Sequence, residues 1–167
     1  MCIRDRFRLA HGEELIEFSG DIRDRQFQDL KLHIRNLDLE FLKHIFDLPD
    51  SVSGRADLHA LMQGSFDNPE FEGNLVISDV PAQHLPFGEA RLALNYGERK
   101  LDGRLGLLQK NSEVLRLVLQ QPLDLTLTEL PVEQRLMAGP VAAHLELKQL
   151  DVSPFQASSE ELAELLV

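Results

Sequence analysis

Apolar and polar residues alternate along most of this chain with a period of two, the pattern of strands that bury one face and wet the other. Phe7 and Leu9 begin it, followed by Ile16 and Phe18, then by Leu30, Leu32 and Ile34. After Gly54 come Ala56, Leu58, Ala60 and Met62, then Phe71, Leu75 and Ile77, then Ala90, Leu92, Leu94 and Tyr96. Leu101, Leu105 and Leu107 form another row. The most regular are Leu115, Leu117, Leu119 and Leu123, Leu125, Leu127, and the last is Val141, Ala143, Leu145, Leu147. The positions between them carry residues such as Asp57, His59, Glu72, Asn74, Arg91, Arg104, Arg116 and His144.

Short turn signals separate these rows. Asp67-Asn68-Pro69, Tyr96-Gly97-Glu98-Arg99 and Lys110-Asn111-Ser112 each suit a tight reversal. Connections this short join antiparallel neighbours, so residues 52–127 are expected to form a meander with one apolar face. Gln121-Pro122 predicts a bend, because proline cannot donate to a central ladder. Thr128 to Met137, with Pro131, reads as a loop. Two stretches switch to helical spacing. Leu39, Leu42, Ile45 and Phe46 form a short one closed by Pro49. Ser158 with Glu161 opens a second, whose stripe is Leu162, Leu165 and Leu166.

The chain also repeats itself. Leu32-His33-Ile34-Arg35-Asn36-Leu37-Asp38-Leu39 returns as Leu145-Glu146-Leu147-Lys148-Gln149-Leu150-Asp151-Val152. Such recurrence marks a repeat architecture. The expected organisation is partial strands over 1–25, a β-repeat unit over 26–137 and the start of the next unit over 138–167. Two small helices cannot cover so many strands. The sheet must therefore fold on itself, pair with another copy, or hold something apolar.

Composition narrows the function classes. A net charge of −11 across 167 residues argues against nucleic acid and gives no polybasic patch for anionic headgroups. The absence of Trp and a single Tyr remove the aromatic girdles of an outer-membrane barrel. Cys2 is the only cysteine, so no intrachain disulfide and no Cys-based metal site is expected. No apolar run approaches a membrane-spanning helix. Met1 to Arg6 carries charges where a secretory signal needs an apolar stretch, and it resembles a spurious start; a signal or anchor would lie upstream.

Catalytic chemistry finds little support. The histidines (His11, His33, His44, His59, His84 and His144) show no metal-ligand spacing and read as solvated surface. Asp67 beside Glu70 and Glu72 is better explained by turn chemistry than as an acid–base pair. Ser51, Ser53 and Ser112 have no nucleophile-elbow context. Gly103-Arg104-Leu105-Gly106 lies inside a strand pattern and is not a phosphate loop. No enzyme activity and no cofactor or metal is expected.

The stretch Gly64-Ser-Phe-Asp-Asn-Pro69-Glu-Phe-Glu-Gly73-Asn-Leu-Val-Ile77 resembles the G-x-[L/F]-x-N-P-x-[L/F]-x-G-x-L signature of the TamB family, the translocation and assembly module proteins related to AsmA. Leu37-Asp38-Leu39 through Ser53-Gly54-Arg55-Ala56-Asp57-Leu58 resembles the opening that precedes it, and Pro86-Phe87-Gly88 an element that follows. Gly139-Pro140 through Asp151 resembles a second opening. The likeness covers residues 26–156 and lacks that family's N-terminal anchor and C-terminal assembly region. It implies an all-β fold with one or two short helices: a long antiparallel meander curled into a U-shaped, taco-like groove with an apolar interior. It further implies phospholipid acyl chains as the partner, a periplasmic location with an inner-membrane anchor in the whole protein, contacts to neighbouring repeats and an outer-membrane β-barrel assembly partner. Under this reading the groove is lined by Leu58, Met62, Phe71, Leu75, Ile77, Leu92, Leu94, Leu105, Leu107, Leu115, Leu117, Leu125 and Leu127. The same alternation is also expected of a closed sandwich core. A third reading is a scaffold whose edges add strands from other β-proteins.

Overall fold

In the computed structural model, residues 2–40, 53–78, 88–127 and 135–148 are described. They form one nine-stranded antiparallel sheet in strict sequence order. The strands are β1 (Cys2–His11), β2 (Glu14–Arg23), β3 (Gln26–Asp38), β4 (Arg55–Ser65), β5 (Pro69–Ser78), β6 (Glu89–Gly97), β7 (Lys100–Gln109), β8 (Ser112–Pro122) and β9 (Ala142–Leu147). β1 and β9 are the two edges and the sheet does not close into a barrel. The meander expected from the alternation is therefore present. The sheet runs unbroken through residues 25/26 and across to β9.

Turn chemistry sets the reversals. Asp24-Arg25, Glu98-Arg99 and Lys110-Asn111 all have positive φ at both central residues, the backbone twist that matches a two-residue hairpin. The Asp67-Asn68 turn closes through mutual 3.1 Å bonds between the backbones of Ser65 and Asn68. Of the two expected helices, only Leu39 and Glu40 at the start of the first are described. The rest of it, through Pro49, and the helix from Ser158 lie outside the described residues.

β3 departs from strict alternation for a definite reason. Its apolar residues, Phe27, Leu30, Leu32, Ile34 and Leu37, skip an extra position at each end. At those two places the register shifts and a residue turns left-handed, Asp29 at φ 51° and Asn36 at φ 53°. Each bulge returns the next apolar side chain to the same face. Gly20 sits opposite the first bulge, where a Cβ would come within 2.7 Å of the Leu30 backbone.

One correction concerns the end of β8. Leu123, Leu125 and Leu127 do not extend it. Pro122 ends the strand, and residues 123–127 leave the ladder and cross the end of the sheet.

Candidate functional site: an apolar face and its strap

Register places apolar side chains in rows that run across the strands. One row is Leu9, Ile16, Ile34, Leu58, Leu75, Leu92, Leu105, Leu117 and Leu145, each opposed to the next, without a polar residue in nine strands. A second is Phe7, Phe18, Leu32, Ala60, Gly73, Leu94, Gly103, Leu119 and Ala143. A third begins at Leu37 and passes through Ala56, Ile77, Ala90, Leu107 and Leu115 to Leu147. Nearer the strap a shorter row joins Leu30, Met62, Phe71, Tyr96 and Leu101. On the opposite face one such row is Arg8, Glu17, His33, His59, Asn74, Ala93, Arg104, Val118 and His144, polar at all but Ala93 and Val118.

Every expected lining residue except Leu125 and Leu127 falls on this apolar face. The alternation placed them there, but it did not single out Leu9, Ile16, Ile34 and Leu145 as members of the same row. That continuity comes from cross-strand register, which no local signal in the sequence carries.

Among the described residues no second layer covers this face. No described side chain is completely buried. The deepest apolar residues gather near the strand ends: Phe27 and Tyr96 at one, Leu15, Leu37, Leu39, Ala56 and Val114 at the other. The middle rows stay half-buried, shielded mainly by one another. At the edges Leu9 is 53% and Leu145 57% exposed. Small residues interrupt the second row: the Phe71 ring lies over Gly73, where a Cβ would meet it at 2.7 Å, and Gly103 sits between Leu94 and Leu119.

Residues 123–127 form a strap along one end. The Leu123 backbone N–H donates to Arg99 at 3.0 Å, beside the β6–β7 turn, and that of Leu127 donates to Phe66 at 2.8 Å, beside the β4–β5 turn. Between them the Tyr96 hydroxyl donates to the Leu123 carbonyl at 3.1 Å and accepts from the Leu125 backbone N–H at 2.9 Å. Asp124 and Thr126 turn inward and are buried, and Asp124 accepts from the Thr126 N–H at 2.8 Å. Arg135 donates to the Asp124 and Thr126 carbonyls. The strap thus runs across the strands, parallel to the apolar rows. Phe66 itself stacks on Phe27 at 4.8 Å and lies 5.5 Å from the Arg25 guanidinium, which also pairs with Asp67.

The strap should loosen in acid. The backbone N–H of Thr126, then its side chain, hold the Asp124 carboxyl below its ordinary value of 3.8. A depressed carboxylate contributes stability that is fully present above the ordinary value and is lost as pH falls through the lower, folded one. Tyr96 is the only tyrosine in a chain without tryptophan, so tyrosine fluorescence reports the strap directly. We expect a fluorescence change below about pH 4, at the lower edge of the carboxylate range, that Asp124→Asn abolishes. Tyr96→Phe should remove both strap bonds and cost about 1–3 kcal/mol by urea denaturation. An unchanged midpoint would show that the strap is not held through Tyr96.

No protein-family model, curated protein or solved structure matches this chain.

Proposed function

We propose that this chain is one section of a periplasmic, bridge-like β-groove that conducts phospholipids between the inner and outer membranes and supports outer-membrane biogenesis. The observation that carries the reading is the uninterrupted apolar row across nine strands, on a face where no described side chain is completely buried. Acyl chains need a continuous apolar path, and a polar side chain in it would impose a desolvation barrier. Nine strands at about 4.8 Å spacing extend that path for about 40 Å, one section of a span between membranes. Curling the sheet with its apolar side inward would crowd that side, and Ala60, Gly73, Gly103 and Ala143 in the second row would relieve the crowding. The resemblance of Gly64 to Ile77 to the TamB signature adds support. In this reading the chain binds and guides lipid and catalyses nothing, and an inner-membrane anchor and a β-barrel partner belong to the whole protein. Native mass spectrometry of a detergent-free preparation should find co-purified phospholipid. Protein that carries none, under conditions that retain lipid on a known carrier, would sink the proposal.

The edges at β1 and β9, which no other described strand pairs, favour a second reading, a scaffold that captures other β-proteins by strand addition. β9 is an edge, and all its residues except Glu146 are exposed. Unpaired edges of this kind promote association. Sedimentation at rising concentration should show self-association, and Leu145→Lys, an inward-facing charge on the edge, should reduce it. A monomer at all concentrations would remove the argument for the scaffold.

A further inference from the structure

The polar face holds an arrangement that strand pairing creates and sequence spacing hides. His33 in β3 and His59 in β4 are directly opposed in register. Their rings are stacked, with centroids 4.0 Å apart and planes inclined by 29°. Glu17 stands opposite His33 on its other side and Asn74 opposite His59, so the four make one row across β2 to β5. They line a shallow cleft of about 400 Å³, with Ser19, Lys31 and Glu72 at its border. Glu17 accepts a 3.0 Å bond from Arg6, which holds its carboxyl below the ordinary range, and it faces Arg8 in β1.

We propose that His33 and His59 form a two-histidine site for a borderline transition-metal ion, Zn²⁺, Ni²⁺ or Cu²⁺. Imidazole is the side chain these ions share as a preferred ligand. Metal–nitrogen bonds of about 2.0–2.1 Å place two nitrogens on one ion about 3 Å apart. The 4.0 Å separation brings the two rings within reach of that spacing once both side chains turn out of the stacked arrangement, because each nitrogen–metal bond lies in the plane of its ring. Ionised Glu17 places one negative charge beside the pair, bonded to Arg6 and facing Arg8. Among the described residues no set of three histidine, cysteine or carboxylate side chains converges on one point. The site is therefore open, with water completing the shell and the ion exchangeable. It would tie β3 to β4 on the face opposite the apolar rows, and so stands independently of lipid binding.

The test is titration of untagged protein with Zn²⁺ and Ni²⁺ by calorimetry, with Cu²⁺ followed by electron paramagnetic resonance. His33→Gln and His59→Gln are the variants, and His144→Gln, on the same face in β9, is the control. All carry Cys2, so differences between them isolate the pair. We expect one equivalent bound, two imidazole nitrogens in the Cu²⁺ spectrum and affinity lower by about tenfold or more in either variant, with the control unchanged. Circular dichroism confirms that each variant is folded. Absence of binding, or affinity in His33→Gln and His59→Gln equal to that of the parent protein, overturns the proposal.

Discussion

Under the proposed groove function, a charge at Leu94 or Leu117 should stop phospholipid from passing along the apolar face. Leu117 lies between Leu105 and Leu145 in the unbroken row, and Leu94 between Gly73 and Gly103 in the next. An aspartate or arginine there puts a charge on the path proposed for acyl chains, and stripping its water costs several kcal/mol. In cells, Leu94→Asp and Leu117→Arg are expected to abolish transfer, and photo-crosslinkers at Leu75, Leu92 and Leu105 should capture phospholipid in the parent protein. Arg104 provides the control, because it is exposed on the opposite face. Arg116 is a poorer one: it pairs with Glu113 and stands opposite Glu146, so reversing its charge would gather three carboxylates. Crosslinks of equal strength at Arg104 and Leu105 would end the groove reading and leave the scaffold in front.

Gly64→Ala should be among the most damaging single substitutions to stability. Gly64 has φ +84°, and a Cβ built there would lie 2.4 Å from the Asn68 carbonyl oxygen. That oxygen belongs to the turn backbone and accepts from Ser65, so it cannot move aside cheaply. The left-handed backbone alone costs an L-residue about 1–2 kcal/mol, and the contact adds to it. A loss of about 2–4 kcal/mol in urea denaturation is expected. Gly88→Ala, where a Cβ meets no described residue within 4 Å, is the matched control and should be near neutral. Equal midpoints for the two would show that the hairpin rearranges to accept the side chain.

Much of this protein could be read from its residues. Period-two alternation and short turns were enough for a single-faced antiparallel meander, because each strand's face depends only on its own spacing and each tight turn joins only neighbours. Pro122 marked the end of β8 for the same local reason. The alternation of Leu123, Leu125 and Leu127 misled: it continues past Pro122, but there it serves a strap that buries Asp124 and Thr126 and is held by Tyr96. Nothing near Tyr96 in sequence points to Leu123 or Leu125. The three-residue steps flanking Leu30 and Ile34 became legible only as bulges, once pairing with β4 put Asp29 and Asn36 out of register. From β4 to β8, face, strand order and turns were thus determined by the sequence itself. The alignment of nine strands into common apolar rows, the strap across their ends and the meeting of His33 with His59 were decided by tertiary structure. Each depends on register between segments distant in the chain, and a slip of one residue would turn every one of those side chains to the other face.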